Sequence, residues 1–112
     1  MNAISADHPA DVPEDPMTAR RIAYEEACDA ELLQWSTQIV MLKAKTERAD
    51  PEIRMYCRKA LDALQLSHEK AERKQLELKT AKRGDWEGFR AAMDEARMLI
   101  RISFCGLVAK LS

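Results

Sequence analysis

Along most of this chain apolar side chains recur three and four residues apart, the spacing of one face of a helix. Leu32, Trp35, Ile39, Leu42, Thr46 and Ala49 follow one another at intervals of 3, 4, 3, 4 and 3, which predicts a helix with a packing seam. Leu33, Val40 and Met41 widen that stripe and predict packing against more than one neighbour. A second series, Cys57, Leu61, Leu64, His68, Ala71, Gln75 and Leu78, keeps the rhythm but is offset from Ile53, Tyr56, Ala60 and Ala63 before it, as a stutter would be. The polar members His68 and Gln75, with Ser67 beside them, make this the wetter seam. A third series, Trp86, Phe89, Met93, Ala96, Ile100, Ser103 and Leu107, repeats the 3 and 4 spacing, and past residue 98 the apolar surface widens.

Punctuation between the series marks the helix ends. Asp15-Pro16 and Asp50-Pro51-Glu52 each place a capping side chain before a proline at the first helical position, where no backbone donor is lost. Lys79, Lys82 and Arg83 load a last turn with positive charge ahead of Gly84, which is expected to take the left-handed conformation that closes a helix. Asp85 is then placed to cap the next helix. The expected class is all-α, an antiparallel three-helix bundle or coiled coil with long helices at about 17–49, 51–83 and 85–110. The alternative joins the first two helices into one, kinked at Pro51, in a domain-swapped oligomer. No glycine lies near residue 49 to turn the chain, and Ile53 and Tyr56 continue the earlier register.

With 112 residues there is room for one domain, expected over 17–112. Three of the four prolines and four acidic residues fall in residues 1–16, with little to bury, so a disordered, acidic, proline-rich tail is expected there. The net charge of −1 hides an asymmetry: residues 1–31 hold eight acidic and two basic side chains. Elsewhere Lys and Arg alternate with Glu and Asp, so no basic face points to nucleic acid. Residues 1–16 lack a basic start followed by an apolar run, and the longest uncharged stretches, 32–42 and 102–109, are too short to span a bilayer. A cytoplasmic location is expected. Cys28, Cys57 and Cys105 are widely spaced and read as free thiols of a reducing compartment.

Gly84-Asp85-Trp86 and its surroundings, "LELKTAKRGDWEGFRAAMDEA", together with Trp35, Ile39, Leu42 and Lys45, resemble small bacterial coiled-coil proteins of uncharacterised function. Those proteins have three long helices and a glycine-aspartate-tryptophan corner before the last. The resemblance covers roughly residues 24–100. It lacks the family's usual alanine between aspartate and tryptophan, and Arg97 stands where the family has a second tryptophan. The resemblance implies a helical bundle and no particular activity.

Candidate chemistry is sparse. Gly84-x-x-x-Gly88 lacks the partners of a phosphate loop, and the adjacent pairs Glu25-Glu26 and Asp94-Glu95 point to different sides of a helix. No Glu-x-x-His occurs, which removes the di-metal carboxylate site a bundle can host. Trp35 and Trp86 lie on apolar stripes and read as core anchors. No enzyme, metal, cofactor or small-molecule substrate is expected. The expected role is a non-enzymatic one, self-association or docking of a partner helix through Met98, Leu99, Ile102, Phe104, Val108 and Leu111, with Gly84, Asp85 and Trp86 as a structural corner. The alternative is a membrane-surface protein whose last helix turns Arg97, Arg101 and Lys110 toward lipid phosphates.

Overall fold

The computed structural model describes residues 15–112, and within them the chain forms three helices: α1 (Pro16–Glu47), α2 (Pro51–Thr80) and α3 (Trp86–Leu111). Apart from Asp15 and Pro16, the expected tail lies outside the described residues. α1 begins as its sequence predicts, with the Asp15 carboxylate accepting from the Met17 amide at 3.0 Å and Pro16 at the first position. The amide bond, with the neighbouring Thr18 and Arg83, holds that carboxyl below its ordinary range against an opposing desolvation.

At Asp50-Pro51 the chain turns, and the continuous kinked helix is not formed. Arg48 and Ala49 donate back to Lys45 and Thr46 at 3.1 Å, so a three-residue connection closes without glycine. Across the turn the Arg58 guanidinium clasps the Glu47 carboxylate, and Arg54 reaches the Glu47 carbonyl at 3.4 Å. The Asp50 side chain makes no capping bond, so proline geometry alone opens α2.

The second connection departs from expectation in three ways. α2 ends at Thr80 rather than 83, because Ala81 is extended at φ −66° and ψ 144°. Gly84 has no positive φ, and the Asp85 side chain makes no capping bond. The α2 end is instead capped from another helix: Arg21 Nη2 of α1 donates to the Leu78, Lys79 and Ala81 carbonyls at 3.2, 3.0 and 3.0 Å, the first of which also accepts from the Ala81 amide.

Cross-helix bonds show the topology. Glu47 meets Arg58, Leu32 meets His68 and Glu25 meets Gln75, so α1 and α2 are antiparallel. Tyr24 meets Asp94 and Glu31 meets Arg97 and Arg101, so α1 and α3 run the same way. α2 lies close against both neighbours, whereas α1 and α3 approach more distantly, through long side chains.

The core follows the sequence pattern in α1 and α2. Cys28, Leu32, Trp35, Ile39, Leu42 and Thr46 are buried on one, and Cys57 through Leu78 at the expected positions on the other. The stutter is absent: Tyr56 and Ala63 are exposed, and Ile53 leads into the single later register. His68 is buried and its Nε2 donates to the Leu32 carbonyl at 2.8 Å, since a carbonyl can only accept. Gln75 Nε2 donates to the Glu25 carbonyl at 2.9 Å and to Asp29 at 3.2 Å.

In α3 the inward stripe differs from the expected one. It runs Trp86, Arg90, Met93, Arg97, Ile100, Phe104, Leu107 and Leu111, with Phe89 and Ser103 outside it. Arg90 therefore occupies the position that hydrophobicity assigned to Phe89, and Arg97 lines the seam beside Ala96, which packs against the core as expected. Phe104, expected on the interaction surface, is only 7% exposed and stacks on Trp35 with ring centroids 6.2 Å apart.

Candidate interaction surface

The expected structural corner is a polar knot around Trp86. The Trp86 indole Nε1 donates to the Glu25 carboxylate at 2.9 Å, and Arg21 Nε pairs with the same carboxylate at 2.9 Å while its guanidinium lies 5.7 Å from the indole centroid. Tyr24 meets the indole edge-on at 5.8 Å. Trp86 is thus an anchor with its donor satisfied. Gly84 and Asp85 connect the helices without contributing a side-chain bond of their own to the knot.

From there the interface between α1 and α3 is a ladder of ion pairs. Arg97 Nε donates to Glu31 at 2.6 Å with its guanidinium 5.3 Å from the Tyr24 ring, and Arg101 grips Glu31 with both nitrogens at 2.9–3.1 Å. Tyr24 bonds Asp94, which also pairs with Arg90. Burial works against the Arg97 charge, but Glu31 and Tyr24 overcome it and hold its pKa above the ordinary arginine value. Burial, then the bond to Asp94, pushes the Tyr24 hydroxyl upward, and burial does the same to the Cys28 thiol. Cys28 is thereby kept protonated, the opposite of what a nucleophile needs. Among the described residues no three His, Cys, Asp or Glu side chains gather as a metal ion would require. Across the seam Tyr24 meets Asp94 and Glu31 meets Arg97 and Arg101, while Arg90 pairs along α3 with Glu87 and Asp94, and the arrangement spaces and aligns two parallel helices.

That spacing leaves the outside of α1 and α3 as a surface unlike the rest of the molecule. Between Ala30 and Leu42 of α1 the single charge is Glu31, and between Met98 and Ala109 of α3 it is Arg101; the two pair with each other. Val40 and Met41 of α1 are 66% and 58% exposed and Met98, Leu99, Ile102 and Val108 of α3 are 51–61% exposed, whereas Leu33, 70% exposed, lies beside Gln75 and Leu76 of α2. α2 instead turns Lys59, Asp62, Glu69, Lys70, Arg73 and Glu77 to solvent, with Met55, Tyr56, Leu66 and Leu76 exposed among them. Where α1 and α3 part, Met41 and Lys45 face Cys105, Val108 and Ala109 across an open groove of about 540 Å³, over Leu42 and Phe104.

Of the six residues expected to form an interaction surface, Met98, Leu99, Ile102 and Val108 are in the open, Leu111 packs against the core, and Phe104 belongs to it. Arg97 and Arg101, expected to face lipid in the membrane reading, are turned to Glu31. No helix of the described residues is long and apolar enough to cross a membrane. On α1, Leu33, Val40 and Met41 were expected to pack against a further neighbour and are instead exposed, and Lys45 was not read as surface. The signal of this exposed face is the uncharged run from Leu32 to Leu42, whose outward half has no partner in the bundle. No family model, curated protein or solved structure matches this chain.

Proposed function

We propose that the chain is a non-enzymatic helix-docking module, with its binding side formed by α1 and α3 and the partner laid along the groove between them. One observation carries this reading: two parallel helices, held apart by the Arg97–Glu31–Arg101 ladder, turn uncharged surfaces outward on the same side, with an apolar groove between them. Apolar surface left in water is unfavourable in proportion to its area, so a continuous patch of this kind is relieved by a partner with an apolar stripe of its own. The geometry suits a helix, because the groove is bounded by helices and follows their axes.

Cys105 supplies the test, since it is exposed at the groove whereas Cys28 and Cys57 are fully buried. The rate at which a chromogenic disulfide reagent modifies Cys105 should fall several-fold, saturably, as a synthetic amphipathic leucine-rich helix is added. Met41→Lys should remove the protection while leaving helical content unchanged. With the chain dilute enough to be monomeric, a labelling rate indifferent to the peptide would overturn the reading.

A further inference from the structure

We infer that the natural occupant of this side is a second copy of the chain, docked α3 against α3 in antiparallel fashion about a two-fold axis between Ile102 and Cys105. The inference rests on the docking reading and adds the identity and direction of the partner. Its starting point is that α3 carries two seams. The inner one fills the bundle; on the opposite face Ala91, Glu95, Met98, Ile102, Cys105 and Ala109 recur at intervals of 4, 3, 4, 3 and 4, and all six are exposed. A helix that packs on one side needs one such stripe and ordinarily turns charge to water on the other. A second stripe at seam spacing is the pattern by which one helix receives another.

Charge selects the direction. The outer stripe has one acid, Glu95, toward its start, while Lys110 flanks its end; neither has an ion-pair partner among the described residues, and the Lys110 ammonium lies 5.0 Å from the Tyr56 ring centroid. Two copies side by side in the same direction would set Glu95 against Glu95 and Lys110 against Lys110. With Ile102 opposite Cys105, antiparallel copies set each Lys110 level with the other's Arg97, whose charge its own Glu31 already meets, and within one turn of its unpaired Glu95, and the two-fold axis makes the pair twice. Opposed helix dipoles favour the same direction. Arg101, near the axis, is neutralised by its own Glu31.

Side-chain size agrees. With Ile102 opposite Cys105 of the second copy, Met98 falls opposite Ala109, a large residue facing a small one in every layer. Gly106 lies beside this seam in mid-helix, where glycine weakens a helix relative to alanine, and a Cβ built on it meets nothing within 4 Å. Nothing within the protomer requires that glycine, whereas a second backbone approaching closely does.

Sedimentation equilibrium of the full chain tests the inference. A monomer–dimer equilibrium is expected, weakened at least about thirtyfold by Ile102→Glu, as for truncation of a central contact. Glu95→Lys and Lys110→Glu should each weaken it several-fold, and the two combined in one chain should restore it. Gly106→Ala should raise the thermal stability of the dissociated chain while weakening association. A monomer at all concentrations, a dimer indifferent to Ile102→Glu, or charge reversals that the double variant does not repair would overturn it. If the chain stays monomeric while the helix peptide still protects Cys105, this inference fails and the docking reading stands; if both results are negative, both fail.

Discussion

The two ends of the bundle use the same 3 and 4 spacing for different chemistry. At the corner end, Arg21, Glu25, Trp86, Tyr24, Asp94, Arg97 and Glu31 are joined by directional bonds. Toward the other end, Ile39, Leu42, Leu61, Leu64, Ile100, Phe104 and Leu107 fill the interior, and the one buried hydroxyl, Thr46, bonds the Leu42 carbonyl of its own helix at 2.8 Å. Apolar packing supplies free energy but tolerates sliding; bonds with fixed donors and acceptors set register and direction at less net gain. The corner end therefore specifies how the three helices align, and the far end supplies most of what keeps them together.

The largest test of that contrast removes packing at the far end. Leu64→Ala, at a side chain 1% exposed, should cost about 2–5 kcal/mol in denaturant unfolding. A smaller loss is expected at the corner, where Arg21→Met removes the side-chain donor shared by three carbonyls, of which Leu78 keeps the Ala81 amide, and should cost about 1–2 kcal/mol. Its signature is local: amide exchange should accelerate at the α2–α3 connection more than in the far core. If Arg21→Met proved costlier than Leu64→Ala, the division between the ends would be wrong.

Alkali separates the ends in another way, since the ordinary pKa values of Cys28 and Tyr24 are 9.0 and 10.0 and both are raised by the fold, through burial first and, for Tyr24, the bond to Asp94 next. Groups that hold their protons more tightly when folded contribute stability that is fully present below the unfolded pKa and is lost as the pH climbs toward the folded one. The melting temperature should therefore decline progressively above about pH 9, and Tyr24→Phe with Cys28→Ala should flatten that decline. The smallest effect is expected at Gly84→Ala. Since φ is not positive and a Cβ meets nothing within 4 Å, stability should stay within about 0.5 kcal/mol of the parent or rise slightly.

Much of the architecture was legible in the order of residues. The seam of α1 from Leu32 to Thr46 and the α2 series from Cys57 to Leu78 were readable down to polar members such as Thr46, His68 and Gln75, because periodicity identifies a face whatever occupies it, whereas Cys28 was not placed on the seam and Tyr56 and Ala63 were placed on one wrongly. Asp15-Pro16 and Asp50-Pro51 marked two helix starts for a local reason, the fixed φ of proline. α3 was misread where periodicity was judged by hydrophobicity, with Phe89 and Ser103 chosen over Arg90 and Phe104. An arginine is acceptable facing a seam only if a carboxylate meets it: Arg90 finds Glu87 and Asp94 on its own helix, while the partner of Arg97, Glu31, lies 66 residues away and is not visible locally. The end of α2 was misplaced for the same reason: its cap is Arg21, 57–60 residues distant, rather than the neighbouring Gly84.

Of the candidate surface, the sequence disclosed that α3 has more apolar side chain than one seam requires. It did not disclose which of those residues the bundle takes up, so Phe104 was grouped with Ile102 although one is core and the other exposed. By itself, then, the sequence determined three helices, two of their inward faces and the first turn, because these depend on spacing and on backbone chemistry within a few residues. Only the tertiary structure decided the rotation of α3, the capping of α2 and the uncharged side shared by α1 and α3. Those follow from bonds between residues far apart in the chain, whose partners are set when the helices meet.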